Sequence, residues 1–193
     1  MSLSARALAL SMSRIMGQPV IVENKAGGTG TVALKAMLAQ KPDGYTLCAT
    51  PTSVLTRVSQ MQKVPFKPFS SFKLVMGYAT PQLGIIVRND SPWKSMKDLI
   101  KDARVNPGKL KFATIGVGST PQAEVDEIPA AEKLKMIHIP YKGSAEVIAA
   151  LLGGHVDFAS LTSEFVPTVR AGQFGVDLMM TDRKRALFLD SQA

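Results

Sequence analysis

The chain has 193 residues, of which 46% are hydrophobic and 20% are charged, a composition typical of a globular protein rather than a disordered one. Its net charge of +8 would suit nucleic acid, but the 23 Lys and Arg residues are scattered and only 6% of residues are aromatic, which argues against a nucleic-acid partner. The single cysteine, Cys48, excludes an internal disulfide, and we expect it to be a buried strand thiol.

The first half of the sequence predicts short helices and strands. A helix ends at Gly17, and it is followed by a strand over 20–22, a helix over 30–40, a strand over 45–49 and a helix capped by Thr52 or Ser53. A proline-broken surface connection follows over 63–73. No stretch reaches the roughly 18 apolar residues of a membrane helix, and no leader pattern precedes the first helix.

The second half predicts a regular alternation of strands and helices. Ser95 and Asp98 have the spacing of a capping box, and "NPG" at 106–108 ends that helix. The predicted strands are 83–87, 110–114, 136–139, 156–159 and 176–180, with helices over 122–133, 144–152 and 164–171 between them. Such alternation predicts an α/β fold with mostly parallel sheets and helices on both faces.

Four strand-to-helix corners are rich in Gly, Ser and Thr. They are "ENKAGGTGT" (23–31), "ATPTS" (49–53), "ATIGVGST" (113–120) and "YKGSAE" (141–146). Corners of this kind bring backbone amides and small hydroxyls close to an anion at a helix N-terminus, although Gly and Ser also simply build turns and caps. No Arg occurs in them, so we predict no bidentate guanidinium clamp.

The sequence gives little support to nucleotide or catalytic chemistry. Residues 28–33 satisfy G-x-G-x-x-A, but the preceding strand ends at Val22 and the next strand carries no acid for a ribose hydroxyl. His138 and His155 are interpreted as structural or surface histidines, and Glu23 has no identifiable partner as a general base. We therefore predict no enzymatic activity, no metal site and no cofactor.

Five blocks in order carry a family resemblance: "MGQPVIVENKAGGTGTVAL", "KPDGYTL", "SPWKSMKDLIKDARVNPGKLKFATIGVGST", "IHIPYKGSAEVIAALLGGHVDF" and "VPTVRAGQF". Together they resemble the Bug/TctC family of periplasmic solute-binding proteins. The resemblance implies a two-lobed, type II periplasmic-binding-protein-like architecture, a Venus flytrap that closes on a small organic carboxylate or amino acid. It also implies recognition by amides, hydroxyls and water, a periplasmic location, a monomer, and membrane transporter subunits as partners.

The resemblance further implies a division of the chain. Residues 1–84 would form the first lobe, completed by 177–193, and residues 85–176 the second, with 83–87 and 176–180 as the hinge strands. The resemblance also implies that the chain is truncated at both ends relative to the family, and we expect the first lobe to lack its usual first strand. We expect a first lobe less stable than the second, with a sheet edge through which chains could associate.

Position by position, the resemblance places ligand-binding residues in both lobes. They are Ala26, Gly27, Gly28, Thr29, Thr50, Thr52 and Ser53 in the first lobe, and Gly116, Gly118, Ser119, Thr120, Gly143, Ser144 and Asp157 in the second. A bulky side chain at Gly118 or Ser119 is expected to abolish binding and spare the fold. Two alternatives stay open: a truncated paralogue that binds nothing or serves as an interaction module, and a nucleotide-binding α/β domain.

Overall fold

The computed structural model describes residues 2–80 and 83–179. The chain divides into two compact units, Met1–Thr80 and Pro81–Ala193. Residues 83, 84 and 177–179, which the sequence analysis assigned to the first lobe, lie in strands of the second unit's sheet. Residues 177–193 were expected to complete the first lobe; of these, 180–193 lie outside the described residues, and the division stays a prediction.

The first unit is built from short helices. Helix α1 spans Ser2–Met16, a 3₁₀ turn spans Gly28–Gly30, and α2 spans Thr31–Leu38. Helix α3 covers 52–61 and is π-helical over Val54–Val58. Gly17 follows α1 with a positive φ of 64°, so the predicted end of the first helix is confirmed. No helix in the part of the chain that the structure describes is long and apolar enough to cross a membrane.

Residues 2–80 contain no β-strand, so the predicted strands 20–22 and 45–49 are wrong. A strand requires a neighbour for its ladder hydrogen bonds, and here local side chains take those donors instead. The Val20 amide donates to Ser13 Oγ (2.8 Å), and the Tyr45 amide donates to Asp43 Oδ1 (3.0 Å). Cys48 is accordingly a half-buried loop thiol rather than a strand thiol, and burial raises its pKa.

The start of α3 also differs from the prediction. Ser53 has helical dihedral angles (φ −56°, ψ −27°) and its side chain makes no capping bond, so neither Thr52 nor Ser53 caps the helix. The Val54 amide instead donates to the Pro51 carbonyl at 3.1 Å. The restricted φ of proline is compatible with this position at the start of a helix.

The core of the first unit is small. Its buried cluster consists of Leu34, Val54, Leu55 and Phe66. Large apolar side chains elsewhere in the unit face solvent: Ile21 is 84% exposed, Tyr45 90% and Val75 76%. The apolar burial that stabilises a fold is therefore limited in this unit.

The second unit contains a five-stranded sheet. Its strands are β1 (Leu83–Arg88), β2 (Lys111–Thr114), β3 (Ile137–Pro140), β4 (Phe158–Thr162) and β5 (Phe174–Met179), in the order β3-β2-β4-β1-β5. Strand β2 pairs in parallel with β3 and β4, whereas β1 runs antiparallel to β4 and β5. The sheet is thus mixed rather than mostly parallel, because the alternation of strands and helices does not fix the direction of its first strand.

Helices cover both faces of this sheet. They are α4 (Met96–Val105), α5 (Thr120–Glu132), α6 (Ser144–Leu152) and α7 (Val166–Arg170). One face buries Ile85, Val87, Phe112 and Phe158 with Leu99 of α4 and Val125 of α5. The other buries Ile86, Ala113, Ala159 and Leu161 with Val147 and Leu151 of α6. Because successive strand residues alternate between these two cores, the predicted α/β class is confirmed.

The capping box predicted before α4 is present, with its reciprocal hydrogen bond shifted to the residue before the N-cap. Ser95 Oγ accepts from the Asp98 amide (3.3 Å), and Asp98 Oδ2 accepts from the Lys94 amide (3.1 Å). Hydrogen bonds from Ser95 and Lys94 lower the pKa of the Asp98 carboxyl. The helix ends at Val105, before "NPG", as predicted.

Candidate functional site

Two predicted corners of the second unit meet at one edge of the sheet. Strands β2 and β3 are parallel neighbours, and their last residues, Thr114 and Pro140, lie opposite each other. After β2 the chain forms the Gly116 corner (115–119) and begins α5; after β3 it forms the Gly143 corner (141–143) and begins α6. We call this the carboxyl edge, and the positive dipole ends of two helix N-termini lie there.

The Gly116 corner is a tight, self-capped turn. Gly116 and Gly118 are buried with φ of 118° and 80°, a region that favours glycine. Ser119 caps α5 by accepting from the Gln122 amide (3.4 Å), and Gln122 Oε1 accepts from the Gly118 amide (2.7 Å). The Gly118 amide, expected to meet a ligand, is therefore already satisfied by Gln122.

The Gly143 corner is more open. Gly143 has an extended backbone (φ −169°), and a Cβ built on it would meet nothing within 4 Å. The Lys142 amide donates to Glu146 Oε2 at 3.2 Å, while Ser144 begins α6 as a half-buried residue. This corner thus has space beside a helix N-terminus, with the Glu146 carboxylate held on the Lys142 amide.

Thr114 and His138 lie beneath the two corners. His138 Nε2 is 2.7 Å from Thr114 Oγ1, and Thr114 Oγ1 donates to the Gly116 carbonyl at 3.4 Å. The His138 ring stacks on Phe112 with centroids 4.8 Å apart. His138 is thus held within the sheet face, which fits its interpretation as a structural histidine, while His155 is exposed.

Burial lowers the pKa of His138, and the charge of Asp126 on α5 partly offsets that effect. We expect the free energy of unfolding of the second unit to decrease as the pH falls below the ordinary histidine value of 6.5. Below that value the unfolded chain binds more protons than the folded one, so stability is lost as the pH falls through the folded pKa. Urea unfolding at several pH values, followed by the fluorescence of the buried Trp93, measures this loss.

Two variants separate His138 from other groups. His138→Gln should flatten the dependence on pH, and His155→Gln, which changes an exposed histidine, should leave it unchanged. Burial and then the charge of Glu127 raise the pKa of Glu124, which titrates in the opposite sense, so the difference between variants isolates His138. An unchanged slope in His138→Gln would contradict the prediction.

The structure does not bring Asp157 together with the two corners, and its expected role in ligand binding stays a prediction. Asp157 precedes β4, and its Oδ2 accepts from the amide of Lys111, the first residue of β2, at 2.7 Å. Strands β2 and β4 are parallel, so Asp157 lies at the amino edge of the sheet, opposite the carboxyl edge. Its carboxylate binds the backbone there.

In the first unit the predicted residues form a second set of corners. Gly27, Gly28 and Thr29 have positive φ (120°, 54° and 53°) just before α2. A Cβ built on Gly30 would lie 3.8 Å from Thr50 Oγ1, a buried atom for which the described residues provide no hydrogen-bond partner. Four further positions differ in exposure: Ala26 and Thr52 are exposed, Thr50 is half-buried and Ser53 is buried.

Among the described residues no three His, Cys, Asp or Glu side chains are grouped to hold a metal ion. Glu23, considered as a general base, forms an ion pair with Lys25 at 2.9 Å. Both side chains of this pair are exposed at the surface.

The comparisons with known proteins agree on one family. A family model for TctC, described as the tripartite tricarboxylate transporter family receptor, matches residues 4–192. A "UPF0065 protein in gbd 5'region" of Cupriavidus necator is 36% identical over 183 residues, which are 95% of this chain and 56% of that protein. BugT of Bordetella pertussis is 31% identical over 156 residues, which cover 79% of this chain and 47% of BugT. The chain spans about half the length of these curated relatives.

Solved structures share the fold. A structure of a periplasmic transporter has a TM-score of 0.86 at 26% identity, covering 93% of this chain and 61% of that one. The periplasmic binding protein BugD gives 0.81 at 26% identity, covering 94% and 61%. An R. palustris protein solved with adipate gives 0.89 at 24% identity, covering 94% and 62%, and shows the fold alone. The expected periplasmic-binding-protein-like architecture is confirmed.

Proposed function

Because this chain belongs to the TctC family, the receptors of tripartite tricarboxylate transporters, we propose that it binds a small organic carboxylate and delivers it to membrane subunits of such a transporter. Members of this family are solute-binding receptors rather than enzymes, in agreement with the sequence-based expectation. The chain is a receptor in this proposal, and binding involves no chemical step. A monomeric state stays a prediction.

The carboxyl edge of the second unit is the observation that carries the proposal. Two parallel strands end side by side there, and each leads through a small-residue corner into the N-terminus of a helix. Backbone amides and hydroxyls at such positions can hold a carboxylate, directly or through water. The residues that we assign to this role are Gly116, Ser119, Thr120, Gly143 and Ser144.

The remaining parts of the proposal rest on the family. Solved relatives are described as a periplasmic transporter and a periplasmic binding protein, and we place this chain in the periplasm accordingly. The ligand-binding role of the first-unit residues Ala26, Gly27, Gly28, Thr29, Thr50, Thr52 and Ser53 stays a prediction.

Thermal unfolding of this chain in the presence of candidate ligands tests the function. The panel contains adipate, malate, citrate, acidic amino acids, aromatic acids and NAD; adipate and malate come first because solved proteins of the same fold hold them. A ligand that binds only the folded state at about 100 times its Kd adds about 2.7 kcal/mol of stability. We expect one carboxylate class to raise the melting temperature.

The control is sulfate, added at the same concentration of negative charge as the carboxylate. Any anion stabilises a chain of net charge +8 by screening the repulsion between its positive charges. A shift equal to that of sulfate for every carboxylate would contradict the receptor function and favour a non-binding paralogue. A shift with NAD alone would favour a nucleotide-binding domain.

A further inference from the structure

We propose that Thr114 is the positioning residue of the carboxyl edge: its hydroxyl holds the Gly116 corner, its carbonyl holds the Gly143 corner, and His138 orients the hydroxyl. The hydrogen bonds themselves are properties of the ligand-free second unit. Their importance for carboxylate binding rests on the proposed function.

The position of Thr114 allows it to reach both corners. It is the last residue of β2 and is fully buried. Its carbonyl accepts from the amide of Tyr141, the first residue of the Gly143 corner, at 2.9 Å. Its hydroxyl donates to the carbonyl of Gly116 at 3.4 Å. One residue therefore contacts the beginning of each loop that leads into a helix.

The Gly116 carbonyl is the point at which the first loop is held. It accepts from Thr114 Oγ1 and also from the Ser119 amide at 3.3 Å. Two donors fix the direction of this peptide unit, which has a φ of 118° at Gly116. Ser119 is the N-cap of α5, so the orientation of the Gly116 carbonyl is coupled directly to the start of the helix.

The Thr114 hydroxyl has one hydrogen, which it can donate to only one acceptor at a time. The role of His138 follows from this limit. With the hydrogen directed at the Gly116 carbonyl, Thr114 Oγ1 accepts from His138, so the hydrogen of the neutral imidazole is on Nε2. The ring is fixed by stacking on Phe112, with centroids 4.8 Å apart. In this arrangement His138 donates to Thr114 Oγ1, and Thr114 Oγ1 donates to the Gly116 carbonyl.

The test uses two substitutions of similar shape in the whole chain. Thr114→Val removes the hydroxyl and keeps the backbone carbonyl. Thr114→Ser, the control, keeps both the hydroxyl and the carbonyl. In Thr114→Val we expect the Ser119 amide to exchange about tenfold faster in the ligand-free protein, while the Tyr141 amide is unchanged. We also expect adipate affinity to fall about tenfold by titration calorimetry. Thr114→Ser should restore both values, which a purely space-filling role would not require.

Two measurements keep the test decisive if Thr114→Val folds poorly. Nitrogen chemical shifts of wild-type His138 should show the Nε2–H tautomer, and the Nδ1–H tautomer would overturn the proposal. His138→Phe preserves the ring stack and removes the donor to Thr114, so the Ser119 amide should exchange faster than in the wild type, and unchanged exchange would overturn the proposal. Unchanged Ser119 exchange in Thr114→Val would also overturn it. If the amides respond as expected but the wild type fails to bind adipate, the positioning stands and carboxylate binding of this probe fails.

Discussion

A leucine at Gly143 is expected to weaken carboxylate binding and leave the second unit folded, whereas a leucine at Gly118 is expected to destabilise that unit. Gly143 has an extended backbone with open space at its Cβ, so Gly143→Leu only weakens an N-cap, at a cost of about 1 kcal/mol or less. Its side chain would occupy the space in which a carboxylate approaches the α6 amides, and we expect at least about a tenfold loss of affinity. Calorimetry with adipate measures the loss.

Gly118→Leu differs because Gly118 is buried with a φ of 80°. A side chain there adds about 1–2 kcal/mol of left-handed backbone strain and about 1–3 kcal/mol of overpacking. Unfolding of both variants can be followed with Trp93, the single tryptophan, which is buried in the second unit. Gly143→Ala is the matched control and should bind nearly as the wild type does. Unchanged affinity in Gly143→Leu would count against the Gly143 corner.

This contrast corrects the expectation that bulky residues at Gly118 or Ser119 would spare the fold. The sequence showed a glycine-rich corner but not which glycine needs a positive φ. Ser119 is also buried, and its hydroxyl caps α5, so a bulky residue there would both overpack the corner and remove the cap. Of the predicted site residues in the second unit, Gly143 gives the cleaner test of binding.

The elements that could be predicted from sequence are those determined by local chemistry. The capping box at Ser95, the end of α1 at Gly17 and helix α6 all follow from residues within one or two turns. The direction of β1 could not be predicted, because it depends on pairing with β4, about 75 residues further along the chain. The strands expected in the first unit failed for the same reason, since apolar segments become strands only beside a partner.

The candidate site also contains features that local sequence predicts and features that depend on residues far apart in the chain. The Gly116 and Gly143 corners were predicted because each follows a strand and precedes a helix. The position of Asp157 could not be predicted, because the sequence alone does not show that it ends the turn into β4 at the edge of the sheet opposite the two corners. Gln122 was missed although Ser119 and Gln122 have capping-box spacing, a signal that could have identified it. The contact between Thr114 and His138 is a relation between neighbouring strands, for which a single sequence gives no signal.

The first unit is expected to exchange its amide hydrogens far faster than the second. Its residues 2–80 have no strand ladder and one small buried cluster, and large apolar side chains such as Tyr45 and Val75 are exposed. The second unit buries two clusters, one on each face of its sheet. Local opening free energies follow such differences in apolar burial. We expect protection factors in 110–160 to exceed those in 20–50 by at least about 100-fold, measured by hydrogen exchange with mass spectrometry.

Helix α2 compared with helix α6 gives the matched control. Each is a short helix with a fully buried leucine, Leu34 in α2 and Leu151 in α6, so helical hydrogen bonds are compared with helical hydrogen bonds. A difference confined to loops would leave these helices equally protected, whereas a less stable first unit makes α2 exchange faster along its whole length. Stability of a short helix comes mainly from the core that it packs against, and the core beneath α2 is the smaller one. Equal protection of 20–50 and 110–160 would reject the prediction.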